Sequence, residues 1–255
     1  MRHVLACASL AGAEACVPQG PSIAVPPGST DNCDPFGTVD VNDKEYVVQN
    51  NEWNSDRQQC VAVLGTAFIL TKAQFSMPTD GPPATYPAIF KGCHWGNCTR
   101  NSGMPVQVAA LPAVTSSWTV SVPQSAAYDV GYDLWFNREA STGGQPNGAE
   151  LMVWPDHGGG VQPAGAQVAT VTLADAAWDV WKGPMESWTY IAYVRQTPTD
   201  ALVDLDLRSF VSDAVARGAI DKSWYLIAIE AGFEIWRGGK GFATHSFSAL
   251  VGARQ

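Results

Sequence analysis

The sequence predicts an all-β protein, a jelly-roll sandwich of two antiparallel sheets with one α-helix packed outside. Three observations carry that prediction. Runs of alternating polar and apolar residues recur along most of the chain. Turn formers separate them: the 255 residues include 24 Gly and 17 Pro, and only 15% are charged, a mixture that makes many strands joined by many turns. A single segment exchanges the two-residue period for a helical one.

Taken in order, the strand-like runs are 45–51, 60–70, 118–122, 128–136, 149–154, 167–173, 176–181, 188–195, 224–229 and 233–237. Turn signals fall between them at Thr79-Asp-Gly-Pro-Pro, Thr142-Gly-Gly-Gln-Pro-Asn-Gly and His157-Gly-Gly-Gly. No internal repeat is visible. Strands at this density form a two-sheet sandwich or jelly roll. Leu207, Phe210, Val211, Ala214 and Val215 recur at helical spacing, with Asp206 placed to cap the start and Gly218 the end. The prediction is one helix over 207–217, a structural brace without chemistry.

Residues 1–30 read as a leader and Pro/Gly linker, and 31–255 as one jelly-roll domain that carries any catalysis. Arg2, the mildly apolar stretch from Val4 to Ala13 and the Ala13-Glu-Ala15 triplet resemble a short leader with its processing site. A lipid anchor at Cys7 or Cys16 is the other reading, although neither preceding triplet is a good lipidation signal. No segment approaches the ~20 apolar residues of a membrane span.

The net charge of −9 and sequence pI near 4.8 argue against a phosphate backbone as partner. A neutral ligand such as a polysaccharide fits better. Ten Trp is a large number for this length. An indole face stacks on the apolar C–H face of a pyranose, so a surplus of Trp points to a sugar site. The six Cys lie at 7, 16, 33, 60, 93 and 98. An even count favours disulfides and an oxidising, extracellular compartment. The four within the globular part allow three pairings, and the residues alone do not choose. A metal site at Cys93, His94 and Cys98 is the rival reading, but the ligand count is short and the spacing matches no zinc pattern. No metal or cofactor is expected, and the protein is expected to be a monomer.

Three strands carry the candidate chemistry. Alternation puts Glu150, Met152 and Trp154 on one face and Leu151 and Val153 on the other. It puts Glu230, Gly232, Glu234 and Trp236 together, with Phe233 and Ile235 opposite. In Gly131-Tyr-Asp133-Leu-Trp135-Phe-Asn137, Asp133, Trp135 and Asn137 share a face, while Tyr132, Leu134 and Phe136 fill the apolar one. An ordinary antiparallel strand would show Ser, Thr and Lys to solvent. Carboxylates beside indoles point to a wet groove for something flat and hydroxylated. Glycoside cleavage uses two carboxyl groups flanking the scissile bond, one of them protonated near neutral pH. Glu150 and Glu234 are the candidate pair.

The remaining candidates have blander readings. His157 and His245 read as loop or surface residues, and Trp178, Trp181 and Trp188 as core. His157-Gly-Gly-Gly160 has the look of a lipase oxyanion loop, yet there is no G-x-S-x-G elbow, which excludes an esterase. No P-loop, dinucleotide-binding fingerprint or zincin motif is present.

These motifs together resemble glycoside hydrolase family 12, endo-β-1,4-glucanases with a β-jelly-roll fold. The resemblance rests on Glu150-Leu-Met152-Val-Trp154 and Gly232-Phe-Glu234-Ile-Trp236. It extends in register through Asn50-Asn51-Glu52-Trp53-Asn54, Tyr86-Pro-Ala-Ile-Phe-Lys-Gly92-Cys93-His94-Trp95-Gly-Asn-Cys98, Tyr132-Asp133-Leu-Trp135, Val161-Gln-Pro-Ala-Gly165 and Trp224-Tyr225-Leu. It covers about Asp31 to the C-terminus. It implies Glu150 as nucleophile and Glu234 as general acid/base of a retaining double displacement, with Asp133 sharing a proton or hydrogen bond with Glu150. It implies Trp53 as a stacking platform and Asn51, His94, Met152, Trp154, Trp135, Glu230 and Trp236 around the sugar. It also implies the disulfides Cys33–Cys60 and Cys93–Cys98. Two positions depart from the pattern: Glu230 stands where many relatives carry Gln, and Ile235 where Pro is frequent.

The activity expected is hydrolysis of internal β-1,4-glucosidic bonds in cellulose, mixed-linkage β-glucan or xyloglucan. The alternatives are a non-catalytic carbohydrate-binding jelly roll and a transglycosylase using the same residues. The first would need the Trp platforms but not two apposed glutamates.

Overall fold

The computed structural model describes residues 26–185 and 187–252. The leader reading, Cys7 and Cys16 therefore lie outside the described residues. In chain order the strands are β1 (Thr30–Asn32), β2 (Thr38–Val41), β3 (Tyr46–Gln49), β4 (Cys60–Leu64), β5 (Ala67–Lys72), β6 (Gln74–Ser76), β7 (Ala88–His94), β8 (Asn97–Cys98) and β9 (Val106–Gln107). They continue with β10 (Val114–Ser121), β11 (Ala127–Asn137), β12 (Ala149–Gly158), β13 (Ala166–Leu173), β14 (Ala176–Pro184), β15 (Thr189–Arg195) and β16 (Ala201–Asp206). Helix α1 (Leu207–Ala216) follows, then β17 (Tyr225–Gly239) and β18 (Ala243–Val251).

Two sheets face each other. The smaller runs β1-β4-β5-β18-β10-β16 and the larger β13-β14-β15-β12-β11-β17-β7-β3-β2, with β6 and β9 added to β17 and β8 to β7. Within the described residues every ladder is antiparallel except β12–β15, which is parallel. The core lies between the sheets. Tyr132, Leu134, Phe136, Leu151, Val153, Phe233 and Ile235 of the larger sheet meet Val61, Phe68, Leu70, Trp118 and Phe247 of the smaller. Burial of side chains this size contributes roughly 1.5–3 kcal/mol each, and it fixes the register, because a one-residue slip would turn the whole apolar set outward.

The helix begins where Asp206 accepts from the Arg208 N–H (3.1 Å) and ends at Gly218, whose φ of +68° is the left-handed stop that glycine adopts without strain. Its buried face is Leu207, Phe210, Val211 and Ala214. Phe210 packs edge-on to Trp178 (4.9 Å) and Tyr193 (5.2 Å), so the helix covers the β14–β15 end of the larger sheet beyond the last strand of the smaller.

Several strand boundaries differ from the sequence reading, and two of the predicted runs divide differently. The run 60–70 is a hairpin of β4 and β5, turned at Gly65, whose φ is +57°. The runs 224–229 and 233–237 are one strand, β17. Gly232 does not break it. A Cβ there would lie 2.5 Å from the Pro87 carbonyl oxygen, so glycine permits the close approach of β7 and the chain before it. The disulfides are Cys33–Cys60 and Cys93–Cys98. The second clips the β7–β8 hairpin, and it leaves no free thiol for the rival metal reading at Cys93, His94 and Cys98.

Candidate active site

On the side of the larger sheet turned away from the core, strand alternation brings carboxyl groups and indoles to one surface. β11 sits between β12 and β17. Across the β11–β12 ladder Asp133 lies opposite Met152 and Trp135 opposite Glu150. Across β11–β17 Asp129 lies opposite Glu234 and Asp133 opposite Glu230. Side chains directly opposite share a face, so five acidic residues gather over three strands.

Three of them, Asp133, Glu150 and Glu234, line an open cleft of about 1320 Å³ that runs across the strands, and Asp129 is buried beneath it. Glu150, Glu234, Asp133, Trp53, Asn51, His94, Met152, Trp154, Trp135 and Trp236 all border it. Glu230 does not. It is fully buried one layer below, where its carboxylate meets His94 Nδ1 at 2.8 Å and accepts from Gln49 Nε2 at 3.0 Å. Trp53 is 48% exposed, as a stacking platform must be, whereas Trp154 and Trp236 stand almost wholly inside the cleft wall. The Trp236 indole N–H donates to the Gly81 carbonyl, 2.7 Å away.

Several cleft residues were not singled out by the sequence reading. Trp188, read as core, borders the cleft and donates its indole N–H to Glu150 Oε2 at 2.6 Å. The parallel β12–β15 pairing brings it there, since Ala149 pairs with Thr189. Trp178 is core as expected, while Trp181 packs with Met152 and Trp154 on the cleft side. Trp95 is 42% exposed on the clipped hairpin, its ring 4.3 Å from His94 and 5.2 Å from Trp135. Phe36 is 68% exposed at the cleft border. His157, read as a loop or surface residue, is half-buried on β12, which continues past Pro155 to Gly158. His245 is at the surface on β18, near the Ser121 hydroxyl.

Burial sets the electrostatics. Desolvation pushes the Glu150 carboxyl up to about 8, reinforced by Glu234, while the Trp188 N–H pulls the other way. Desolvation also raises Glu234, while the Asp129 carboxyl beside it pulls the other way. Asp133 lies well above the usual carboxylate range because it is buried, with Glu150, Glu230 and Glu234 close enough to add to the shift. Carboxyl groups this close cannot all ionise, so the cluster retains protons at neutral pH. A buried set that holds both an anion and a proton donor is what acid/base chemistry on a neutral substrate requires.

The sequence matches the model of Glycosyl hydrolase family 12 over residues 44–252. The chain belongs to this family. Endoglucanase S of Pectobacterium parmentieri is 30% identical over 213 residues, 76% of this chain and 77% of that one. A xyloglucan-specific endo-beta-1,4-glucanase 1 of Phytophthora sojae is 29% identical over 81% of this chain and 86% of its own length. The solved structure of endoglucanase cel12A from Rhodothermus marinus superposes with a TM-score of 0.84 at 44% identity, covering 87% of this chain and 98% of that one. The family's jelly roll is the fold found here. No described helix is long and apolar enough to cross a membrane.

Proposed function

We propose that this protein is an endo-acting β-1,4-glucanase that cleaves internal bonds of cellulose, mixed-linkage β-glucan or xyloglucan with net retention. The observation that carries the reading is that Glu150 and Glu234, from distant parts of the chain, border one cleft, where the charge of Glu234 adds to burial in raising the proton affinity of Glu150. The cleft crosses strands from Phe36 and Trp53 at one border to Met185 and Trp188 at another, open enough for a polymer to enter along its length.

In this reading the glucan stacks on Trp53 while His94, Trp135 and Trp154 confine neighbouring sugars. Glu150 attacks the anomeric carbon. The Trp188 N–H favours its anionic form, which leaves the shared proton on Glu234. Glu234 passes that proton to the departing glycosidic oxygen, and the chain beyond it leaves. The glycosyl group is now esterified to Glu150. Glu234, now a carboxylate, takes a proton from water as the water oxygen attacks the same carbon and the ester bond breaks. Asp133, protonated beside Glu150, donates to it and spreads the charge returned at that step. Positioning and electrostatics supply the barrier reduction, and no step draws on a cofactor. The same reading takes 31–255 as one catalytic domain, working as a monomer, and takes the protein as exported, in keeping with its disulfides.

The test is loss of viscosity and release of reducing ends on carboxymethyl-cellulose, barley glucan and xyloglucan, with E150Q and E234Q alongside. Rapid thinning with few reducing ends is the expected signature of mid-chain attack, and either variant should lose at least ~1,000-fold in turnover while still binding glucan. A sugar-binding protein without activity would show no thinning and no difference between variants.

A further inference from the structure

The mechanism leaves two acidic residues of the cluster unused, and Glu230 is held by His94 and Gln49, whereas Asp129 is not so held. It is completely buried, and as an ionised carboxylate neither of its oxygens would have a well-formed hydrogen bond. Burying an unpaired charge is costly, and a carboxyl group escapes that cost by keeping its proton. Its register partner across the β11–β17 ladder is Glu234, and the two carboxyl groups lie against each other. Gly131 makes the room. A Cβ at that position would stand 2.7 Å from Asp129 Oδ1, and Gly131 has no left-handed backbone that would otherwise call for glycine.

We propose that Asp129 is a positioning residue that remains protonated and donates its carboxyl hydrogen to Glu234. Two carboxyl groups in contact need one hydrogen between them, and the groups that face Asp129 supply no better acceptor. On β11 it faces Asp133, and on β17 Glu234. Tyr86, before β7, directs its hydroxyl to the Gly131 carbonyl at 3.0 Å. Tyr190 on β15 directs its own to Met152 Sδ at 3.4 Å. His157 is the register neighbour on β12. Glu234 and His157 are both register neighbours, and of the two Glu234 carries the carboxylate that lies against Asp129, the stronger, charge-assisted acceptor.

The consequence concerns the second half of the reaction. Glu234 must give up its proton and then stand as a carboxylate until water arrives. A donated hydrogen stabilises that anion and holds the Glu234 carboxyl where the leaving oxygen will be. Without it, burial would leave Glu234 too reluctant an acid.

The inference rests on Glu234 being the general acid/base, so that point is tested separately. E234A should lose activity and recover part of it with added azide, appearing as a glycosyl azide of retained configuration. The pH dependence of kcat/KM is then measured for wild type, D129N and D129A. The asparagine amide still donates and carries no charge, so D129N should keep the alkaline limb within about half a pH unit of wild type. D129A lacks the donor, so its alkaline limb should move up by about one to two pH units. A downward move in either variant would mean that Asp129 is ionised, and an unmoved limb in D129A would mean that it does not act on Glu234. Either result overturns the inference while the E234A result stands. A folding defect would lower the amplitude of the profile without moving its limbs.

Discussion

Replacing Glu150 by Gln should remove activity and raise stability together. Folding carries the Glu150 carboxyl from its ordinary 4.5 to about 8, chiefly by burial, so holding it as the reactive anion in the folded state is costly. A group raised on folding costs nothing while the medium is below its unfolded value, and the cost grows with pH until the folded value is passed. The window is therefore about pH 4.5 to 8. At pH 7 the ceiling is about 3 kcal/mol, at about 1.4 kcal/mol per pH unit. The proton that Glu150 shares with Glu234 reduces this, and about 1–2 kcal/mol is expected in practice. E150Q is neutral at every pH, and its side-chain oxygen still accepts from Trp188. It should melt about 2–8 °C above wild type at pH 7 and at the same temperature as wild type at pH 4. Calorimetry or circular dichroism at both pH values checks this. A variant less stable than wild type at pH 7, or equally stabilised at pH 4, would show that the cleft does not impose the charge penalty ascribed to it.

Other outcomes follow from single contacts. W188F removes the donor to Glu150, so the acid limb of kcat/KM should move up and the rate should fall about 10–100-fold, read from a pH–rate profile. E230L strips His94 and Gln49 of their shared acceptor and should raise KM for glucan several-fold more than it lowers kcat, while E230Q, which can still accept, should do less. G131A should push Asp129 aside and cost roughly 1–3 kcal/mol in denaturant unfolding, far more than a glycine-to-alanine change on an open strand. Removing Cys33–Cys60, which spans 27 residues, should cost more stability than removing Cys93–Cys98, which spans 5, about 3–4 against about 2 kcal/mol.

Much of this site was legible because side chains on a strand alternate without exception over a few residues. Parity alone placed Glu150 with Trp154, Glu234 with Trp236, and Asp133 with Trp135, and the structure keeps each pair on the cleft side. Asp129 has the same parity as Asp133. The polar-aromatic pattern begins only at Gly131, whereas β11 starts at Ala127, so that pattern does not reach Asp129. Trp188 could not be placed by parity, since it precedes the first residue of β15 and reaches Glu150 only through the parallel pairing with β12. His157 was masked by the three glycines that follow it, although β12 carries on through Pro155. The exposure of Trp95 is set by a left-handed backbone, φ +43°, within a two-residue turn, which residue type does not announce. Among the strands outside the predicted runs, β7 included, β16 and β18 alternate imperfectly and are fixed by pairing with β10 and, for β18, with β5 as well. Local pattern thus gave the faces, and long-range pairing decided which faces meet.

The most direct measurement is where a mechanism-based trap attaches. Incubation with an activated 2-deoxy-2-fluoro cello-oligosaccharide, followed by proteolysis and mass spectrometry, should find one sugar ester, on the peptide carrying Glu150. An adduct on the Glu234 peptide, or turnover of natural glucan with no adduct under any condition, contradicts the assignment of Glu150 as the attacking group.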